Sequence, residues 1–344
     1  MIKLGVIGCG GIAQLVHIPA AKRVRNARLV AVCDLYEDVA RGVAEKYGVD
    51  RYYADYWEMF SREDIDAVIN ATGHVQHASV TIDAAKAGKH VLVEKPMAVT
   101  VEECEAMIDA CRRGGVKLMV AFMKRFDPSL QWVKSLIEAG ELGLPFVVNS
   151  WYYDTVHHGE YVSGFVGEFV RTKEPPKDIP SFKADFHMTV LLGHGVHHMD
   201  LLRWIGGEVK RVSSSFKFFN GNYVSTSILE YESGSLGYYQ LAGNVTMDWD
   251  EGLVVHGVKG SAEVKIRFPY FKERSEAQVY LYNRNEYVSK LVPVRDMYLN
   301  QLQHFVDCIT EDKEPSPNGY DGLMAERMLY AIHKSAMKGE KVEE

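Results

Sequence analysis

Three glycines and one carboxylate carry the first chemical signal in this chain. Gly8, Gly10 and Gly11 lie in the run Gly5-Val6-Ile7-Gly8-Cys9-Gly10-Gly11-Ile12-Ala13, and Asp34 follows 21 residues beyond Ala13, closing the apolar run Leu29-Val30-Ala31-Val32-Cys33. Gly8 and Gly10 allow a tight turn with bare backbone against a pyrophosphate, and small Ala13 lets the next helix pack close to its strand. The start of that helix offers unpaired N–H groups and a positive dipole end. Asp34 is placed to accept hydrogen bonds from adenosine ribose hydroxyls and to repel a 2′-phosphate. Leu35 and Tyr36 bring no cation to bind one, so the pattern predicts NAD rather than NADP.

Two further residues could act on a substrate. His90-Val91-Leu92-Val93-Glu94 runs into Lys95-Pro96, so an amine and a carboxylate emerge at the carboxyl end of a strand, where open α/β sheets bind ligands. Proline restrains the backbone of Lys95, and a desolvated amine beside a positive nicotinamide ring has a lowered pKa. On spacing alone Lys95 reads equally well as a surface lysine. Within Gly193-His194-Gly195-Val196-His197-His198-Met199-Asp200, a helix from about Gly195 to Ile205 sets His197, Asp200, Leu201 and Trp204 on one face. An imidazole titrating near neutrality suits removal of a hydroxyl proton, although a lone helical histidine is more often a packing residue. His157, His158, His187, His194, His197 and His198 crowd one region, and His194 with His198 has the spacing of a helical metal pair. No third-ligand motif accompanies them and Gly195 weakens the helix between them, so the expectation is no metal.

Strands must position these groups. From Met1 to about Phe122, strands near Leu4, 29–33, 67–71, 90–94 and 117–122 alternate with helices, as in a doubly wound parallel sheet. Thr100 with Glu103 forms a capping box, Gly114-Gly115 stops that helix, and Asp127-Pro128 opens another that Gly140 ends. Beyond Pro145 the pattern becomes alternating strands rich in Tyr, Val, Phe and Ser at 146–153, 211–219, 223–231, 235–245, 253–258, 262–266 and 278–282, with Asn220-Gly221-Asn222 and Ser233-Gly234 as hairpin turns. This predicts a large, mostly antiparallel open sheet. The stretch 172–180 reads as a long loop near a binding surface, and 297–309 and 322–337 are helical again.

Composition bounds the classes. At 344 residues two domains are the prior, and a net charge of −7 with both signs interspersed offers no cationic face for nucleic acid. No apolar stretch approaches a membrane span and the N-terminus opens on a strand rather than a signal peptide, so the expected location is the cytoplasm. Cys9, Cys33, Cys104, Cys111 and Cys308 form an odd, scattered set without CxxC spacing and read as reduced packing residues.

Taken together these motifs resemble the Gfo/Idh/MocA oxidoreductase family, that is, glucose-fructose oxidoreductase, inositol dehydrogenase and relatives. The resemblance spans nearly the whole chain. It rests on Gly8-Cys9-Gly10-Gly11-Ile12-Ala13, Ile65-Asp66-Ala67-Val68-Ile69-Asn70-Ala71-Thr72, Ala87-Gly88-Lys89-His90-Val91-Leu92-Val93-Glu94-Lys95-Pro96, Phe122-Met123-Lys124-Arg125-Phe126-Asp127-Pro128 and Gly195-Val196-His197-His198-Met199-Asp200. It implies a Rossmann α/β domain (1–124) and an α+β substrate and oligomerisation domain (125–296) with the active site between them. Residues 297–344 are then C-terminal helices returning to the Rossmann domain, and assembly is as a homodimer or homotetramer through the open sheet face.

It further implies that Lys95, before a cis proline, polarises the reacting oxygen and that His197 accepts the proton. Gly8, Gly10, Gly11, Ile12, Asp34, Thr72, Glu94 and Arg125 are expected along NAD, and Met123, Lys124, Asp154, His157 and Asp200 at the substrate. The implied activity is an NAD-dependent oxidoreductase acting on a hydroxyl carbon of a sugar, cyclitol or sugar derivative, with no nucleic-acid or membrane partner. Two other readings stay open: a glycosidase that uses NAD for transient oxidation, and a non-catalytic NAD-binding regulator, against which Lys95 and His197 both speak. The chain departs from the family in two places. Gly193 stands where many members carry aspartate, and Thr72-Gly73-His74 replaces the usual Thr-Pro-Asn, while His77 fits the histidine that follows.

Overall fold

The computed structural model describes residues 1–343 apart from 166–168, 176, 178–181 and 272. Two compact units divide the chain: residues 1–122, 165–183 and 298–323 form the first, and residues 123–164, 184–297 and 324–344 the second.

In the first unit six strands, β1 (Ile2–Ile7), β2 (Ala27–Cys33), β3 (Arg51–Tyr53), β4 (Ala67–Asn70), β5 (His90–Val93) and β6 (Leu118–Val120), pair throughout in parallel, in the order β3-β2-β1-β4-β5-β6. The expected doubly wound sheet is therefore present. Its strands read as unbroken apolar runs because both faces are covered; every residue of β4 is buried. Strand order reverses between β1 and β4, and such a switch point is where ligands bind at the carboxyl ends of the strands. Helix punctuation follows the sequence. Thr100 Oγ1 accepts the Glu103 N–H (3.2 Å) at the start of helix Val101–Gly114, which Gly115 closes at φ +64°. Three-residue β3, mostly exposed, has no pattern to announce it.

The second unit carries a nine-stranded sheet. Its strands are β7 (Pro145–Thr155), β8 (Val209–Phe219), β9 (Asn222–Tyr231), β10 (Leu236–Val245), β11 (Asp250–Gly257), β12 (Gly260–Lys265), β13 (Glu276–Leu281), β14 (Glu286–Val288) and β15 (Val342–Glu343), ordered β14-β13-β12-β11-β7-β10-β9-β8-β15. Only the β7–β10 pairing is parallel, so the sheet is mostly antiparallel as expected. Burial alternates along the strands. Val148, Ser150, Tyr152 and Asp154 of β7 are buried, whereas Ile228, Leu236 and Tyr238 face the other way and are exposed. The Asp127 carboxylate caps helix Pro128–Glu138 by accepting the Ser129 (2.7 Å) and Leu130 (3.1 Å) N–H groups. The expected helix near Gly195 runs Val196–Gly206, entered through a π-helical turn, Leu191–Gly195. No described helix is long and apolar enough to cross a membrane.

Candidate active site

The glycine turn lies at the switch point of the first unit. Gly8 has φ +88°, and a Cβ there would stand 2.4 Å from the Ala71 carbonyl oxygen at the end of β4, so both backbone conformation and space demand glycine. Gly10 has a different reason: nothing lies within 4 Å of where its Cβ would be. Its bareness keeps a cradle open. Gly8, Gly10, Gly11, Ile12, Asp34 and Thr72 all line one cavity of about 950 Å³. Asp34 is fixed by accepting the Cys9 N–H at Oδ2 (2.8 Å) and the Tyr36 N–H at Oδ1 (2.9 Å), which ties the glycine turn to the segment that follows β2. The helix behind it opens as a π turn, Ala13–His17, with Pro19 unable to donate to the preceding turn. An open backbone cradle, a fixed carboxylate and a volume of this size suit a dinucleotide.

Leu35 and Tyr36 supply no cation of their own, but Lys177 does. Its ammonium lies 4.9 Å from the Tyr36 ring centroid and donates to the Leu35 carbonyl, while its backbone N–H donates to the Tyr36 hydroxyl (2.8 Å). The cation missing from the local sequence thus arrives from far along the chain. Asp34 alone retains the argument against a 2′-phosphate.

Lys95 follows Glu94 at the carboxyl end of β5, and the Lys95–Pro96 peptide is cis. Its N–H donates to Glu94 Oε2 (2.9 Å), and Glu94 Oε1 lies 2.7 Å from His17 Nε2. Glu94 does not line the cavity; it is a buried carboxylate with both oxygens engaged. Burial pushes its pKa up, but the His17 bond, Lys95 and the Lys95 N–H together hold it below the usual carboxylate value. On the other side, His77 Nδ1 lies 2.7 Å from the Pro96 carbonyl oxygen and Nε2 lies 3.1 Å from that of Thr72. Burial lowers the His77 pKa, against the two carbonyl contacts and the Glu94 carboxylate, which raise it. Asn70 completes the corner, accepting the Thr72 hydroxyl (2.7 Å) and donating to the His77 carbonyl oxygen (3.0 Å).

In the second unit His197 is 8 % exposed on helix Val196–Gly206. Asp200, expected beside it, is committed elsewhere: Arg125 donates to it in bidentate fashion, Nε to Oδ2 at 2.9 Å and Nη2 to Oδ1 at 2.5 Å, with the guanidinium over the Trp204 ring at 5.8 Å. Lys124, 2 % exposed, pairs with Glu251 Oε1, which also lies 2.6 Å from His198 Nε2. His198 Nδ1 meets the Ser150 hydroxyl. Burial, then the neighbouring ammonium of Lys124, holds the His198 pKa well below its ordinary value, so this ring is neutral and donates through Nε2. Met123 is buried at the start of the same short helical turn, Met123–Phe126.

Asp154 forms a separate cluster. Its Oδ1 lies 2.6 Å from His158 Nδ1 and its Oδ2 lies 3.9 Å from His194 Nδ1. The His194 ring stacks between Tyr152 (5.4 Å, 18°) and His158 (6.0 Å, 21°). His157 points away from this group, half-exposed beside Glu160 (3.0 Å). The adjacent histidine is the one that meets Asp154, because residues 158 and 154 stand four apart where β7 passes into helix His158–Phe165. A Cβ on Gly193 would meet nothing within 4 Å. His194 and His198 serve different carboxylates, Asp154 and Glu251, and among the described residues no three His, Cys, Asp or Glu side chains are placed so that they could hold a metal ion. Glu251 went unassigned from sequence, and His158 and His194 were singled out only as members of the histidine cluster.

Two family models match the chain. Residues 2–122 match the NAD-binding Rossmann fold of an oxidoreductase family, and residues 182–343 match the C-terminal alpha/beta domain of the same family. The chain belongs to the Gfo/Idh/MocA oxidoreductases. Among curated relatives it is similar to the myo-inositol 2-dehydrogenase of Thermotoga maritima, 27% identical over 350 residues, covering 97% of this chain and 96% of that one. It is also similar to the D-apiose dehydrogenase of Paraburkholderia graminis, 27% identical over 369 residues, covering 99% and 89%. Among solved structures, an oxidoreductase from Agrobacterium radiobacter in complex with NAD+, L-tartaric acid and magnesium superposes with a TM-score of 0.82 over 99% of this chain and 98% of that one, at 21% identity. Family membership thus agrees with the reading from the motifs, and the parallel sheet with its glycine turn is the family's NAD-binding domain.

Proposed function

We propose that the protein is an NAD-dependent dehydrogenase that oxidises a secondary hydroxyl or hemiacetal carbon of a sugar, cyclitol or sugar derivative. The observation that carries this reading is the corner at β5. Lys95 leaves a parallel strand beside the switch point with its backbone pinned by Glu94, in the unit that holds the glycine cradle and Asp34. Bound NAD would supply the hydride acceptor. Lys95 would hold and polarise the substrate oxygen as charge develops there, and His197 would take the hydroxyl proton.

The remaining residues divide by their surroundings. Gly8, Gly10, Gly11, Ile12, Asp34 and Thr72 would hold the dinucleotide, since all of them border its cavity. Glu94, with both oxygens engaged, would act by fixing Lys95. Lys124, Arg125 and Asp200 are buried in ion pairs and would shape the site by fixing Met123 and the His197 helix, whereas Asp154 with His158 and His194 offers donors and acceptors suited to substrate hydroxyls. Relatives that are dehydrogenases of inositol and apiose favour the oxidative reading over glycoside cleavage or regulation.

A panel of inositols, aldoses and sugar acids, each supplied with NAD and followed at 340 nm, tests the proposal. Reduction of NAD by at least one polyol is expected. Release of reducing sugar from glycosides with no net NADH, or no turnover by protein that binds NADH, would contradict it.

A further inference from the structure

The cavity that suits a dinucleotide has a fourth wall from a distant part of the chain. Phe169, Val170, Arg171 and Thr172 line it together with the glycine turn and Asp34. These residues fall between the two matched stretches, which end at 122 and resume at 182. They are held to the rest of the first unit by hydrogen bonds at Val170, Thr172 and Lys173. Gln14 Nε2 donates to the Val170 carbonyl (2.9 Å) and to the Cys9 carbonyl (2.8 Å), while the Val170 N–H donates back to Gln14 Oε1 (3.0 Å). Gln14 thereby joins this strap to the glycine turn itself. Thr172 Oγ1 donates to Asp38 Oδ1 (3.0 Å) and the Lys173 N–H to Asp38 Oδ2 (2.8 Å), bonds that hold the Asp38 carboxyl below its usual pKa. Gly42 leaves the space Val170 fills, for a Cβ there would stand 2.8 Å from Val170 Cγ1, and Phe169 Cζ lies 3.6 Å from where a Cβ on Gly11 would be.

The charges decide what such a strap is for. A pyrophosphate is dianionic, yet the described residues that line this cavity include the carboxylates of Asp34 and Asp55 and one cation, Arg171, while the Lys177 ammonium beside them is engaged by the Leu35 carbonyl and the Tyr36 ring. Glycine N–H groups can accommodate the phosphates but cannot neutralise them.

We propose that residues 169–173 are a clamp on the dinucleotide in which Arg171 pairs with the pyrophosphate, Phe169 closes over the glycine turn, and Gln14 and Asp38 latch the strap. The inference rests on the NAD reading, and its segment overlaps only at 172 and 173 the stretch 172–180 read from sequence as a loop near a binding surface. Of the 172–180 loop, residues 172 and 173 lie on the nucleotide side of the first unit; residues 176 and 178–180 lie outside the described residues.

The test is NADH binding to the full chain, read by fluorescence without substrate at two salt concentrations, with ADP-ribose as a competitor that carries the same pyrophosphate. Arg171→Ala should raise the Kd of NADH and of ADP-ribose alike by roughly tenfold or more and flatten the salt dependence, the expected size for losing one charge-assisted contact to phosphate. Arg171→Lys should keep part of the affinity, and Asp38→Ala should weaken binding by freeing the strap. NADH should slow amide exchange at 169–173 in the wild-type chain. Because Arg171 is exposed, its loss should leave the unliganded Tm unchanged. Equal Kd and salt slope in Arg171→Ala, or a loss for NADH without one for ADP-ribose, overturns the clamp while wild-type binding preserves the cofactor reading. A wild-type chain that binds neither ligand overturns both.

Discussion

At the end of β1 the work is done by backbone. Gly8 turns because nothing larger fits, Gly10 leaves a cradle bare, and Asp34 ties the glycine turn to the segment after β2. Around the His197 helix the work is done by buried charge, with Lys124, Glu251, His198 and Ser150 meeting in a network of side chains drawn from separate stretches of chain. The two regions fail differently when altered. A backbone site tolerates any neighbour that respects its shape. A buried ionic site depends on every member, because each one removed strands the charge of another.

The largest effect should come from the second region. Glu251→Ala leaves the Lys124 ammonium buried without its counter-charge and should destabilise the fold by about 3–5 kcal/mol in urea titration. Replacing both partners with apolar residues, Lys124→Met with Glu251→Leu, should recover most of that loss. A loss below about 1 kcal/mol for the single variant would mean the pair is not the support it is taken for.

Next in size come the glycines, which separate shape from function. Gly8→Ala meets both the left-handed backbone and the Ala71 carbonyl, so it should lower stability by about 1–3 kcal/mol and NADH affinity with it. Gly10→Ala meets no protein atom and should keep its Tm while weakening NADH binding by roughly tenfold, as the methyl fills the cradle. If Gly10→Ala binds NADH normally, the cradle is not where the pyrophosphate approaches.

The same contrast governs what could be read before the fold was known. Gly8 to Asp34 spans a single strand-turn-helix-strand unit, so spacing alone reports it, and Lys95-Pro96 at the end of an apolar run is local in the same way. The Thr100 and Asp127 caps are legible because a cap needs only its next few residues. The partners of Asp154, Asp200 and Lys124 are set by which strand lies beside which, and a helical wheel put Asp200 with His197 where tertiary packing gives it to Arg125. His157 and His158 differ by one residue and a β-to-helix junction, a distinction no periodicity carries. Arg171 and Lys177 reach the nucleotide corner from well over a hundred residues away in sequence, so no motif could include them.

The proposed chemistry requires Lys95 and His197 to serve the chemical step rather than cofactor binding. Steady-state turnover of whichever polyol reduces NAD, measured alongside the Kd of NADH for Lys95→Ala and His197→Ala, tests this most directly. Each variant should lose turnover by on the order of 10² or more while its NADH Kd stays close to wild type. Unchanged turnover in either one, or a loss explained entirely by weakened NADH binding, would remove that residue from the mechanism.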